Sequence, residues 1–163
     1  MSMVLLIATN GYKDTRPAIE YGAWLAGSMR MKITLLGVTE DLSPAAIDDH
    51  HPLEDIFADA VSLFKERGVE YSLEVCNGEA EQVIPEKANQ GNFITVVSPL
   101  GRPAIRRWLT GRSIRPLMEK IVGPILYVPQ MRLPVKKMLI SVGGLGYESV
   151  TESLGFQVAV ASQ

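Results

Sequence analysis

The stretch Phe93-Ile94-Thr95-Val96-Val97-Ser98-Pro99-Leu100-Gly101 carries a mostly apolar run into a loop, and nine residues later the chain reads Gly111-Arg112-Ser113. In an open α/β sheet, the loop between a buried strand and the next helix is where phosphate groups bind. Glycines let the backbone approach a ligand, and a helix start supplies free N–H donors with a partial positive charge. The stretch therefore predicts an anion site. Five arginines fall within or beside it: Arg102, Arg106, Arg107, Arg112 and Arg115.

Outward from this loop, short apolar runs alternate with longer amphipathic ones along the chain. The predicted strands are 4–9, 32–38, 71–76, 92–97 and 124–128. The predicted helices are 17–29, 53–67, 79–89 and 113–121. Such alternation is typical of parallel strands joined by crossover helices. The fold class predicted is α/β, a Rossmann-like open five-stranded parallel sheet with helices on both faces.

The composition describes a globular chain without the signature of a polyanion binder. Its 163 residues fit one domain of ordinary size, 47% of them are hydrophobic and the formal net charge is −2. Nucleic-acid-binding domains usually carry an excess of basic residues, so we expect no nucleic-acid partner. The N-terminal apolar run is too short for a signal peptide or a membrane span. We therefore expect a cytoplasmic protein with no membrane span.

Three loops are expected to meet at the carboxyl edge of this sheet: Thr9-Asn10-Gly11, Gly37-Val38-Thr39 and residues 98–112. Ligands of parallel sheets bind at this edge, where the strand order reverses. No Gly-x-Gly-x-x-Gly follows the first strand, and neither a Walker-type Gly-Lys-Ser/Thr nor a hydrolase Gly-x-Ser-x-Gly is present. The loop after the fourth strand is thus the predicted phosphate loop, and no catalytic set is evident.

An acidic segment with both histidines, Asp48-Asp49-His50-His51, offers side chains of the kind that bind Zn or Mn. Adjacent histidines on a helix point about 100° apart, so they chelate one ion poorly. We expect a solvated loop that enters the second helix, and no metal site.

The spacing from Gly101 to Gly111, with Arg106-Arg107-Trp108-Leu109-Thr110 between them, resembles the motif Gly-x-x-Gly, nine residues, Gly-Ser/Thr of the universal stress protein family. The run Pro124-Ile125-Leu126-Tyr127-Val128 is similar to that family's fifth strand. The resemblance covers about residues 3 to 129. It implies a sheet in the order 3-2-1-4-5, a dimer or an intramolecular tandem pair formed through the strand Pro124–Val128, and ATP with its phosphates on the glycine loop.

Three positions depart from the family pattern. Asn10 stands where the nucleotide-binding branch has Asp, which removes a carboxylate that would accept from ribose or help to hold a metal. Ser98, followed by Pro99, replaces the first glycine, and Arg112 stands where a hydroxyl is expected, although a guanidinium can clamp phosphate. Carried over residue by residue, the implied nucleotide site is Ala8, Thr9, Asn10, Val38, Ser98, Gly101, Gly111, Arg112 and Ser113, with ATP, with or without Mg, as the cofactor.

Three classes of function follow from these features. The first is an adenine-nucleotide-binding domain in a stress-response or regulatory role, with weak ATP hydrolysis at most. The second is a family member that binds no nucleotide and acts as a dimerising scaffold or partner-binding module, which Asn10 and Ser98 favour. The third is an enzyme of the wider adenine-nucleotide α-hydrolase group, for which no catalytic residues stand out. The retained glycines Gly101 and Gly111, together with Arg112, favour the first.

The C-terminal segment repeats the N-terminal one. Met138-Leu139-Ile140-Ser141-Val142-Gly143-Gly144 matches Leu5-Leu6-Ile7-Ala8-Thr9-Asn10-Gly11 without a gap through the next helix, where Gly22 meets Gly155. We predict a universal-stress-protein-like domain at 1–129, followed at 130–163 by a linker and a strand-helix unit that resembles the start of a second, incomplete copy. Half a copy cannot bury its own apolar face, so the segment either begins a tandem domain or clasps a partner subunit, unless the similarity arose by chance.

Overall fold

Five parallel strands form one sheet in this computed structural model, which describes residues 3–39, 52–101, 114–133, 135, 137, 139 and 150–161. The sheet order is β3-β2-β1-β4-β5, which confirms the predicted fold class and strand order. In chain order the elements are β1 Val4–Thr9, a 3-10 turn Lys13–Thr15, α1 Arg16–Met29, β2 Lys32–Thr39, α2 Pro52–Glu66, β3 Tyr71–Asn77, α3 Ala80–Asn89, β4 Phe93–Val97, α4 Arg115–Met118, β5 Ile125–Tyr127 and α5 Val150–Ala161.

The central strand β1 is buried on both faces, which is why its sequence is a continuous apolar run. Leu5 and Ile7 face one side and pack in a core with α1, α2 and α5. Leu6 and Ala8 face the other side and pack in a second core with α3 and α4. Successive side chains of a strand point to opposite faces, so this alternation builds the two helical layers.

The helix predicted over 113–121 is wrong at its C-terminal end, because α4 ends at Met118. Beyond it, the Lys120 and Ile121 amides bond three residues back rather than four. The Asn89 side chain holds this turn, since its Nδ2 donates to the Lys120 carbonyl at 2.9 Å and its Oδ1 accepts from the Val122 amide at 3.0 Å. A side chain from α3 thus replaces the next helical hydrogen bonds.

Helix α5 lies where the internal repeat predicts a helix, and it packs on α1 of the same chain. Leu154 and Val158 are buried in the core that α1 shares with the sheet, whereas Phe156 and Val160 are 59% and 71% exposed. The strand predicted before α5 falls mainly outside the described residues. In the part of the chain that is described, no helix has the length and apolarity needed to cross a membrane.

Candidate functional site

The chain leaves β1 and β4 toward opposite faces of the sheet. After β1 it enters α1, whose Ala18 and Ala23 belong to one core, and after β4 it reaches α4, whose Leu117 belongs to the other. Two neighbouring strands whose connections diverge leave a crevice between their carboxyl ends. The structure therefore places the candidate site between the turn after Thr9 and the loop after Val97.

Asn10 spans this crevice. Its Nδ2 donates a hydrogen bond of 2.6 Å to the Gly101 carbonyl, and its side chain is only 5% exposed. Its Oδ1 is also buried and has no hydrogen-bond partner among the described residues. A buried acceptor without a donor costs about 1 to 3 kcal/mol, so it marks a position where a donor from a ligand or a water would be stabilised.

A chain of hydroxyl groups fixes the turn between β1 and α1. The Gly11 amide donates to Thr9 Oγ1 at 3.1 Å, and Thr15 Oγ1 donates to the Tyr12 carbonyl at 2.6 Å. The two threonine oxygens are 2.6 Å apart, and because the Thr15 proton is already used, Thr9 is the donor between them. Both threonines are fully buried. The Thr9 hydroxyl therefore shapes the turn and is not directed at a ligand.

Gly101 lies against Tyr12 so closely that a β-carbon on Gly101 would overlap the Tyr12 side chain. Only glycine fits such an approach. The start of the loop after β4 is thus held at two atoms, its carbonyl by Asn10 and its α-carbon by Tyr12. Gly11 completes the opposing turn with a φ of 84°, a left-handed conformation that favours glycine.

Three further predicted residues have buried side chains that are turned away from the crevice opening. Ala8 and Val38 are 0% and 1% exposed and belong to the core under α3. Ser98 is fully buried, and its hydroxyl donates to the Val128 carbonyl at 2.5 Å. Any contact that these residues make with a ligand must come from their backbone.

The other half of the predicted site, Gly111, Arg112 and Ser113, lies outside the described residues. So do Arg102, Arg106, Arg107 and Trp108, and the segment Asp48-Asp49-His50-His51. Arg115 is described, and its exposed guanidinium pairs with Glu119 at 2.6 Å within α4. Because α4 has four residues, its start adds little of the helix-dipole field that the sequence suggested.

The buried polar side chains that line the described part of the crevice carry no charge. Every buried polar side chain there or elsewhere in the described chain is Thr, Asn or Ser, and no described group of three His, Cys, Asp or Glu could hold a metal ion. Mg²⁺ prefers carboxylate oxygens. The buried donors and acceptors of the described residues therefore fit the neutral hydrogen-bonding edges of a nucleoside, and they include no carboxylate that would hold a divalent cation.

Two residues of the site, Tyr12 and Thr15, were missed by the sequence reasoning. The Tyr12 side chain packs against Gly101, and the Thr15 hydroxyl accepts a hydrogen bond from the Thr9 hydroxyl. The available signal was the cluster of polar and turn-forming residues between the first strand and Pro17, which predicts a structured turn rather than a free loop.

A second concavity, of about 480 Å³, lies between α1 and α2. Its rim includes the ion pair between Arg16 and Asp59, with Glu20, Glu66 and Arg67 nearby. It sits on the helical face, away from the strand ends where the buried polar atoms converge. We therefore take the crevice between β1 and β4 as the candidate site.

Solved universal stress proteins share this fold. One in complex with cAMP has a TM-score of 0.60 at 16% identity, covering 77% of this chain and 96% of that chain. The protein from Archaeoglobus fulgidus has a TM-score of 0.58 at 16% identity, covering 78% and 99%. An Arabidopsis thaliana family protein with AMP bound has a TM-score of 0.53 at 15% identity, covering 83% and 95%.

No protein-family model matches the sequence, and no curated protein matches it at a significant level. Structural similarity at such low identity shows the fold alone. The chain therefore has the universal stress protein fold, as the resemblance in the glycine loop and the fifth strand implied.

Proposed function

We propose that this chain binds an adenine nucleotide in the crevice between β1 and β4 and acts in a regulatory or stress-response role. The observation that carries the proposal is Asn10 Oδ1, a buried acceptor with no hydrogen-bond partner among the described residues, at the carboxyl edge where sheets of this order bind ligands. The complexes of similarly folded proteins with cAMP and AMP support the choice of an adenine nucleotide. A cytoplasmic location remains part of this proposal.

The residues divide between the two halves of the ligand. The Asn10 side chain and the backbones of Ala8, Thr9 and Val38 would lie beside the nucleoside. The phosphates would meet the loop that follows Ser98 and Gly101, with Gly111, Arg112 and Ser113 supplying amides and a guanidinium. An arginine can bind phosphate through two parallel hydrogen bonds, so Arg112 would compensate for the hydroxyl it replaces. ATP remains within this proposal, and the phosphate loop would determine how many phosphates the bound nucleotide carries.

Thermal shift with AMP, ATP and cAMP tests the proposal, with GMP as the control for the base. Ligand at a hundredfold excess over its dissociation constant stabilises the fold by about 2.7 kcal/mol, which is readily measured. Arg112→Ala and Gly111→Val should reduce the shift, whereas Arg132→Ala, a change of an exposed arginine bonded to Gln130, should not. If no adenine nucleotide at millimolar concentration shifts the midpoint of the native chain, the proposal is wrong.

The scaffold alternative is favoured by one feature, the exposed edge strand β5. Among the described residues β5 is the last strand of the sheet and pairs only with β4, and its Tyr127 is 41% exposed; edge strands can pair with another chain. Dimerisation through β5 predicts that Tyr127→Arg lowers the mass measured by light scattering. An unchanged mass removes β5 as the interface, and binding of AMP by a monomer would favour the first function.

We also propose that residues 130–163 form a linker and the beginning of a second copy. The support is the position of α5, Val150–Ala161, which matches the predicted helix 17–29 to within one residue when Gly155 is aligned with Gly22. The alternative of a clasp on a partner subunit requires the exposed face of α5 to be covered. Phe156→Glu separates the two, because it breaks a clasp dimer and leaves the mass unchanged if α5 packs only within its own chain.

A further inference from the structure

The side-chain amide of Asn10 joins the two strands that flank the candidate site. Its orientation is fixed by its partner, because the Gly101 carbonyl can only accept a hydrogen bond and Nδ2 must therefore face it. The bond is buried, and it links residues that are 91 positions apart in sequence. It therefore crosses the crevice and is not a local turn contact. We call this hydrogen bond between Asn10 and Gly101 the tie.

The tie depends on a neutral donor. A carboxylate in the same position would set an anionic oxygen against the Gly101 carbonyl oxygen, and neither group can donate. Two such oxygens are held together in proteins by a cation that both coordinate, as carboxylates and backbone carbonyls do for Ca²⁺. The amide N–H of Asn10 performs this bridging without an ion.

We propose that Asn10 is a positioning residue that assembles the crevice without a divalent cation, so that the site takes its nucleotide in a metal-independent way. The uncharged character of the buried polar groups supports the inference, since no carboxylate is among the buried side chains of the described residues. The part that concerns the ligand rests on the proposed function. The part that concerns the tie does not.

The tie is tested by melting temperature, without any nucleotide. The native chain should melt at the same temperature in EDTA and in millimolar MgCl₂ or MnCl₂. Asn10→Asp should melt about 4 to 10 °C lower in EDTA and recover part of that loss when Mg²⁺ or Mn²⁺ is added. Asn10→Ala should show a loss of the same order that neither metal restores.

Asn89→Asp is the matched control, because the Asn89 amide also donates to a backbone carbonyl, that of Lys120, but at an exposed site. It should lose less stability than Asn10→Asp, because water reaches the carboxylate and the Lys120 carbonyl, and it should gain nothing from metal. A native chain whose melting temperature rises in Mg²⁺, or an Asn10→Asp variant as stable as the native chain in EDTA, overturns the inference. Should Asn10→Asp fail to fold, the native chain and Asn10→Ala still decide it.

Calorimetric titration with AMP in EDTA and in MgCl₂ tests the ligand part. The affinity of the native chain should differ by less than about twofold between the two buffers. Binding that weakens about tenfold or more in EDTA overturns metal independence while supporting the proposed function. Absence of AMP binding in both buffers contradicts the proposed function and the ligand part together, and the melting experiment then decides the tie on its own.

Discussion

The Ser98 hydroxyl, at the carboxyl end of β4, donates a hydrogen bond of 2.5 Å to the carbonyl of Val128, the residue that follows β5. At the same end of the two strands, the Val128 amide donates a hydrogen bond of 2.8 Å to the Val97 carbonyl. The end of β4 is therefore joined to the end of β5 at a fully buried side chain. A residue that the sequence presents as the first position of a phosphate loop serves here to fix the last strand.

Ser98→Ala should consequently reduce stability rather than ligand affinity. Removing the hydroxyl leaves the Val128 carbonyl without its side-chain donor, which costs about 1 to 3 kcal/mol. Urea unfolding measures the loss, and Ser62→Ala is the control because the Ser62 hydroxyl bonds the Ala58 carbonyl on the exposed side of α2. If Ser98→Ala abolishes AMP binding at unchanged stability, the hydroxyl contacts the ligand and our interpretation is wrong.

Gly101→Ala should displace the start of the loop after β4. The new β-carbon would overlap Tyr12, so the loop must move away from Asn10, and we expect AMP affinity to fall at least about tenfold. Gly27→Ala is the control, since a β-carbon there meets only ordinary van der Waals contact with Val69 at 3.8 Å. Tyr12→Gly in the Gly101→Ala background should restore part of the affinity. Full affinity in Gly101→Ala alone would show that the contact does not position the loop.

Leu154→Ala should destabilise the chain, because Leu154 is 7% exposed in the core that α1 and α5 share. Truncation of a buried leucine costs about 2 to 5 kcal/mol, which urea unfolding resolves. Phe156→Ala, on the exposed face of α5, should change stability by less than about 0.5 kcal/mol. Equal effects of the two substitutions would contradict the packing of α5 on α1 through the face that bears Leu154.

Alkaline pH should weaken the fold through Tyr21. Burial raises the pKa of the Tyr21 phenol above its ordinary value of 10.0, so the folded chain holds its proton longer than the unfolded chain does. The contribution of the Tyr21 phenol to the free energy of unfolding is complete below about pH 10. It is lost as pH rises through the pKa of the phenol in the folded chain. The melting temperature of Tyr21→Phe should therefore fall less steeply above pH 10, with Tyr127→Phe as the control for an exposed phenol. If the melting temperatures of the native chain and Tyr21→Phe fall in parallel above pH 10, Tyr21 does not weaken the fold at alkaline pH.

The fold could be predicted from the sequence because its strands are buried on both faces and therefore read as apolar runs. The predicted run 4–9 coincides with β1, and the glycine after α2, Gly68, has a φ of 63° as a helix-ending glycine requires. The predicted end of the helix at 113–121 was wrong because a side chain distant in sequence determines where that helix ends. Asn89 ends the turn after α4 from 31 residues away, and no local pattern near Lys120 records that.

The candidate site was predictable only in part, for the same reason. Strand ends and glycine spacing indicate which loops converge, so Asn10 and Gly101 were both expected in the crevice. That they bond to each other, and that Thr9 and Ser98 use their hydroxyls within the protein, depends on contacts between distant residues. A sequence motif records residue type, whereas the direction of a buried hydroxyl is set by the partner that the fold supplies.

The most direct test of the account is a ¹H–¹⁵N correlation spectrum of the native chain titrated with AMP, with GMP as the control. Binding in the crevice predicts that the largest shifts fall on Gly11, Tyr12, Gly101 and the side-chain amide of Asn10, while Asp59 in the groove between α1 and α2 stays unchanged. Shifts centred on Asp59 and Arg16, or no shifts with millimolar AMP, would contradict the central claim that adenine nucleotide binds between β1 and β4.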